Sequence, residues 1–276
     1  MTGSWGMLGT DMVAAIAATG DDVVGVDKED VDLSDPAAAR AAVAGFDVVV
    51  NCAAWTAVDA AEEHEPAALV LNEGIARWLA QGCRDQGARL VQISTDYVFD
   101  GSASTPYREE SAPEPRSAYG RTKAAGERAV REELPGAHQI VRTAWLYGAH
   151  GRCFPKTIAG VARERGSVGV VDDQVGQPTW TRDVADVVLR LADAPAGTYH
   201  ATSSGQCSWF EFARAVVSSA GLDPSIVTAT SSDDFVQVAP RPAYSVLGHG
   251  ALEAVGLAAI GDWRGRWLLA ADEVLA

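Results

Sequence analysis

At 276 residues, with 47% hydrophobic and 21% charged side chains, the chain is long enough to bury a large core and has the composition of an ordinary globular protein. A formal charge of −15 opposes a polyanionic partner, which argues against nucleic acid and anionic membrane surfaces as ligands. No apolar run reaches the ~18 residues of a membrane helix, and the N-terminus lacks the basic-then-apolar order of a signal peptide, so the chain is read as cytosolic.

The chain opens on "MTGSWGMLGTD", with Gly3, Gly6 and Gly9 spaced three apart, and runs into the helical pattern Met12, Val13, Ile16 and Ala17, which predicts a helix over 7–19. Glycines at this spacing allow a tight turn, close backbone approach to a pyrophosphate and tight packing of the helix on its strand, while the helix N-terminus supplies positive dipole. Gly3, Gly6, Met7, Leu8 and Gly9 are therefore expected to cradle a dinucleotide. Such a turn follows a strand, yet only Met1 and Thr2 precede it. The expectation is a sheet whose first strand is truncated, and a natural start upstream of Met1.

The next strand, over 22–27, closes on Asp27, 18 residues after Gly9, where a carboxylate accepts from an adenosine ribose 2′-hydroxyl. The cofactor is then NAD(H) or NADP(H), with a lean to NAD(H), because Asp27 repels a 2′-phosphate. Lys28 beside it softens that preference. Further strands are predicted at 46–54, 88–95 and 138–148, rich in Val and Ile, with helices at about 35–44, 66–86 and 118–134 between them. The alternation specifies a Rossmann-like α/β fold, a doubly wound parallel sheet with helices on both faces. Residues 1–150 form the expected dinucleotide-binding domain. Residues 151–276 form mainly a smaller substrate lobe over the C-terminal edge of the sheet, with segments returning to it: helices near 153–165, 182–193, 208–220 and 263–275, a loop over 170–180 and a strand over 197–202.

Catalytic chemistry is expected where "STDYVFDG" (94–101) ends the strand at 88–95 and "YGRTK" (119–123) lies in a helix. Tyr119 and Lys123 are four residues apart and share one helical face. An ammonium near a phenol favours the phenolate and should pull the Tyr119 pKa down, making it a proton donor to a carbonyl that accepts hydride. Thr95 could hydrogen-bond the same oxygen. Cys52, Cys83, Cys153 and Cys207 form no C-x-x-C pair and read as buried reduced thiols. His64, His138, His150, His200 and His249 show no metal-ligand spacing, so no metal site is expected.

In "TGSWGMLG", "DLSD" (32–35), "VVNCAAWTAVDAAE" (49–62), "STDYVFDG", "YGRTKAAGE" (119–127), "VRTAWLYG" (141–148), "DDQVGQPT" (172–179) and "RPAYSVL" (241–247), the chain resembles the extended short-chain dehydrogenases/reductases nearly end to end. Within them it resembles the dTDP-4-dehydrorhamnose reductase family. The resemblance implies catalytic roles for Thr95, Tyr119 and Lys123, with Asp96 beside them. It places Asp32 and Leu33 at the adenine, Cys52, Ala53 and Ala54 along the cofactor loop, and Tyr97 near the nicotinamide. Thr95, Asp96, Tyr97, Trp145 and Arg241 would meet a dTDP-sugar, Arg241 at its diphosphate. The implied reaction is NAD(P)H-dependent reduction of the C4 keto group of dTDP-4-dehydro-6-deoxy-L-mannose to dTDP-L-rhamnose. Alternatives are a reductase of another dTDP-4-keto-6-deoxyhexose with different stereochemistry, or a non-catalytic dinucleotide-binding regulatory subunit. Dehydratases of the superfamily carry Asp-Glu after the Thr where this chain has Asp96-Tyr97, which argues against elimination. Trp5 is bulkier than the family's usual residue in the turn. Some relatives hold Mg²⁺ between subunits, and Asp11 falls where one such carboxylate would. Mg²⁺ is not expected here, and a homodimer is compatible with the resemblance.

Overall fold

A computed structural model describes residues 1–234 and 237–276. Its centre is a parallel sheet ordered Val48–Asn51, Arg89–Thr95, His138–Thr143, Gly197–His200. Alternate strand residues point to opposite faces. Val50, Val91 and Val141 therefore pack beneath the helices Met7–Thr19 and Thr181–Leu191, against Leu8, Met12, Val184 and Val188. Val49, Leu90 and Ile140 face the other way, onto Val43, Ile75 and Leu79. Each such side chain, fully buried, stabilises the fold by roughly 1.5–3 kcal/mol relative to exposure. Both faces are covered, as the Val- and Ile-rich strands require.

Met1 and Thr2 stand in the position of the expected first strand. Val26 N–H donates to Met1 O at 2.8 Å, Thr2 N–H to Val50 O at 3.0 Å, and Cys52 N–H to Thr2 O at 3.1 Å. Thr2 thus bridges Val26 on one side and Asn51 on the other. The segment 22–27 joins the sheet through that single bridge rather than as a ladder, and Val24 and Val48 beside it are exposed. The two residues pin the end of the sheet nearest the glycine turn, where the strand order reverses and ligands bind in such folds.

Two expected elements are interrupted. The helix expected over 66–86 is divided into Glu65–Leu69, a π-helical turn Val70–Gly74, and Ile75–Gln86. A π turn re-aims one side chain; here Asn72 is buried in it. The strand expected over 138–148 stops at Thr143 and pairs again only at Leu146–Tyr147, because Trp145 has φ 47°, in the left-handed region. In the C-terminal lobe, helices Phe154–Arg165, Trp209–Ser219 and Trp263–Leu275 close over an aromatic core. Phe212 meets Trp263 and Trp267 edge-on there, with centroids 5.9 and 5.5 Å away. The segment read as a loop over 170–180 begins on the last two residues of the strand Val168–Val171, paired with Val227–Thr230, and contains two two-residue strands, Val175–Gly176 and Thr179–Trp180. Pairings that short carry no periodicity for a sequence to show.

Candidate active site

The sheet delivers Thr95 to its C-terminal edge, abreast of Thr143 on the neighbouring strand. The chain then tightens into a 3-10 turn, Asp96–Val98, capped by Thr95: Tyr97 N–H donates to Thr95 Oγ1 at 3.2 Å, and Thr95 Oγ1 donates to Asp96 Oδ1 at 3.0 Å. The helix Ala118–Glu133 starts on an N-cap, with Ser117 Oγ accepting from Gly120 N–H at 3.1 Å. It brings Tyr119 edge-on to Tyr97, with centroids 5.6 Å apart, and sends Lys123 into the interior. This approach needs two glycines. A Cβ on Gly120 would lie 2.2 Å from Tyr97 O, and one on Gly126 2.3 Å from Asn72 O.

Electrostatics correct one expectation. Lys123 Nζ donates to Ile93 O at 2.7 Å, and burial pulls its pKa down to about 8, against the raising influence of Glu127 and Cys52. Tyr119 is not lowered by its cationic neighbour: burial pushes it up to about 12, opposed by the Thr95 hydroxyl and reinforced by the charge of Asp96. Burial is the leading cause, and the ammonium of Lys123 is directed at a backbone carbonyl, Ile93 O. Burial also raises Asp96, to about 6, with Ser245 and Thr95 pulling the other way. Behind Lys123, Glu127 accepts a bidentate pair from the fully buried Arg142, at 2.8 Å on each oxygen, and a hydrogen bond from Ser94 at 2.6 Å. These bonds hold it ionised against its burial.

The glycine turn fits a pyrophosphate. Gly3 has φ 67°, and a Cβ there would sit 2.7 Å from Ala53 N; a Cβ on Gly9 would sit 1.9 Å from Gly3 O. Gly6 caps the helix Met7–Thr19 without a side-chain bond, which leaves the first-turn N–H groups of Met7, Leu8 and Gly9 for an anion. Asp27 Oδ2 accepts from Trp5 N–H at 3.1 Å and Oδ1 from Lys28 N–H at 2.9 Å, which fixes the carboxylate beside the turn. The Trp5 indole is 63% exposed and does not close over the glycines. Asp32 is exposed and bonded to Ser34, while the Leu33 side chain is turned into the core. Loop residues Cys52, Ala53 and Ala54 follow the strand Val48–Asn51; Ala53 N–H donates to Asn51 Oδ1 at 3.1 Å, and burial pushes the Cys52 thiol up to about 12.

On the opposite side, Trp145 stacks on Trp209 at 3.5 Å and 6°, and a Cβ on Gly176 would fall 2.4 Å from Trp145 Cε2. Arg241 is engaged with Asp59, Nη2 to Oδ2 at 2.8 Å, while Ala239 N–H donates to the other oxygen at 3.0 Å. Asp11 accepts from Thr181 Oγ1 at 2.5 Å and lies 3.7 Å from His150 and 3.8 Å from Arg182. Among the described residues no group of three His, Cys, Asp or Glu could hold a metal. Sequence reasoning missed Asn72, whose amide spans Trp55 N–H (2.9 Å), Trp55 O (3.2 Å) and Thr122 Oγ1 (2.9 Å), tying the loop after Val48–Asn51 to the helix of Tyr119. It also assigned no role to Asp59 and Glu127, although both fall inside the strings 49–62 and 119–127, or to Trp209, which lies outside every such string.

The chain is similar to known proteins over nearly its whole length. The family described as RmlD substrate binding domain matches residues 1–275. A dTDP-4-dehydrorhamnose reductase of Streptomyces griseus is 46% identical over 272 residues, covering 96% of this chain and 90% of the relative. A dTDP-4-keto-6-deoxy-D-glucose reductase of Streptomyces niveus is 46% identical over 266 residues, covering 95% and 92%. The crystal structure of a dTDP-4-dehydrorhamnose reductase from Bacillus anthracis in complex with NADP superposes with a TM-score of 0.94 at 35% identity, covering 99% of this chain and 97% of that one.

Proposed function

The chain belongs to the RmlD substrate-binding-domain family, and from that premise we propose that it is an NAD(P)H-dependent reductase of the C4 keto group of a dTDP-4-keto-6-deoxyhexose. The preferred substrate is dTDP-4-dehydro-6-deoxy-L-mannose and the product dTDP-L-rhamnose. The observation that carries this reading is the convergence of Thr95, Tyr119 and buried Lys123 at the C-terminal edge of the sheet, facing the glycine turn's end of the molecule. When bound, the reduced dinucleotide supplies the hydride. Tyr119 donates its phenolic proton to the carbonyl oxygen as charge develops there, and Thr95 hydrogen-bonds the same oxygen. Lys123 remains protonated below about pH 8, and its charge favours proton departure from Tyr119 once a ligand draws the ammonium off Ile93 O. Gly3, Gly6 and Gly9 take the pyrophosphate. Asp27 takes the ribose hydroxyls and biases the site towards NADH. Arg241 takes the sugar-nucleotide diphosphate by exchanging Asp59 for phosphate oxygens. Both ligands are charged small molecules of the cytosol, where we place the activity; no helix among the described residues is long and apolar enough to cross a membrane.

A second product configuration is favoured by one fact, that the relative named a dTDP-4-keto-6-deoxy-D-glucose reductase is as similar as the one named for dehydrorhamnose. A regulatory subunit has no use for a placed proton donor, which sets that reading aside. The test is turnover of a panel of dTDP-4-keto-6-deoxyhexoses with NADH and NADPH, with product stereochemistry resolved by NMR. Oxidation of NADH with the dehydrorhamnose substrate and a rhamno product is expected. Dinucleotide binding without oxidation on any sugar would overturn the assignment.

A further inference from the structure

Two buried polar groups beside Tyr119 have unused hydrogen-bonding capacity. Asp96 is 2% exposed; its Oδ1 accepts from Thr95, while Oδ2 has no partner among the described residues. Ser245 is 1% exposed and its Oγ has no partner among the described residues either. The two lie close enough for the Ser245 hydroxyl to favour the ionised form of Asp96. Ser245 is held there by its backbone: its N–H donates to Val175 O at 2.9 Å, Tyr107 N–H donates to Val246 O at 2.8 Å, and Leu247 N–H donates to Gln177 Oε1 at 2.8 Å. The titratable groups facing Asp96 are Tyr97 in the same turn and Tyr119 on the helix Ala118–Glu133, while Thr95 and Ser245 face it with hydroxyls.

A threonine hydroxyl has one hydrogen to give. While Thr95 donates to Asp96 Oδ1, it can only accept from anything else, and a substrate carbonyl oxygen needs a donor. We propose that Ser245 is a positioning residue that takes over Asp96 from Thr95: Ser245 O–H donates to Asp96 Oδ2, and the Thr95 O–H is thereby released to donate to the arriving carbonyl oxygen. The proposal rests on the reductase reading for the identity of that carbonyl. Without Ser245, turning Thr95 away strips the buried carboxylate of side-chain donors, so the exchange is resisted.

The test titrates Asp96 directly, by NMR of protein carrying ¹³C-carboxyl aspartate and free of dinucleotide and sugar, with Asp96→Asn assigning the resonance. Ser245→Ala is expected to raise the Asp96 midpoint and Ser245→Thr to restore it. In turnover of dTDP-4-dehydrorhamnose, Ser245→Ala should lower kcat by about 10-fold, the weight of one hydrogen bond to a charged group, with KM for the dinucleotide unchanged. The acidic limb of its kcat profile should move up in parallel, and in an Asp96→Asn background the same change should cost nothing further. An unmoved midpoint, or an equal kcat loss in the Asp96→Asn background, overturns the proposal. A wild type that reduces none of the dTDP-4-keto sugars overturns the functional reading and the carbonyl end of this one, while the titration separately decides the Ser245–Asp96 pairing.

Discussion

Asp96 shows how one residue trades stability for chemistry. Burial raises its carboxyl from 3.8 to about 6, so between those values the native state holds more protons than the unfolded chain. The group's favourable contribution is complete below about pH 3.8 and is lost as the pH rises through 6. At pH 7 the buried anion costs on the order of 2–3 kcal/mol relative to the neutral acid. Asp96→Asn is therefore expected to melt at a higher temperature than wild type at pH 7, with the difference shrinking towards pH 4.5, and to turn over more slowly but measurably. Scanning calorimetry at the two pH values decides it: a gain that does not vary with pH would assign the effect to packing alone. Lys123 runs in the opposite sense for a base. Its pKa falls from 10.5 to about 8, so its burial disfavours the fold below pH 8, and that cost is relieved as the pH rises towards 10.5. Two destabilising ionisations close to Tyr119 suit a site that must meet a ligand.

The helix Ala118–Glu133 sets the distance between the site's two halves. In an ordinary helix interior, Gly→Ala gains about 1 kcal/mol. At Gly120 the added methyl would meet Tyr97 O at 2.2 Å, a backbone atom that cannot swing aside. Gly120→Ala should therefore destabilise by roughly 1–3 kcal/mol and lower kcat, because the helix must retreat and carry Tyr119 with it. Urea unfolding with an unchanged m value checks this; a stabilised variant with normal kcat would show that the helix has slack. This element was legible in sequence as a run from 118 to 134 with Tyr119 and Lys123 on one face, because helical spacing encodes both facts. Its glycines were not, since their reason lies in Tyr97 and Asn72 on other elements. The break at Val70–Gly74 was equally hidden, as the apolar periodicity runs through it. The downward shift expected for Tyr119 failed because helical spacing places Lys123 on the same face but carries no sign of the burial that raises the phenol.

At the scale of the molecule, the sequence pattern carried the architecture. Strands and helices alternate with enough regularity to specify a parallel sheet, and the turn at Gly3, Gly6 and Gly9 marks where its order reverses. What joins the C-terminal segment to the N-terminal half was out of reach. Arg241 and Asp59 are 182 residues apart in sequence, in segments with no repeating pattern, and only folding puts them 2.8 Å apart. That pair bridges segments far apart in the chain, and Trp145 stacks on Trp209 in the same way across 64 residues of sequence. The central claim is that the dinucleotide's hydride reaches C4 of the sugar while Tyr119 protonates its oxygen. Turnover of dTDP-4-dehydrorhamnose with NADH deuterated at the transferring position, read by NMR of the product, tests it most directly. Deuterium at C4 is expected, with Tyr119→Phe slowing its appearance by roughly 10²-fold or more and leaving the dinucleotide Kd little changed. Deuterium at any other carbon, or a Tyr119→Phe variant that labels C4 at the wild-type rate, would contradict it.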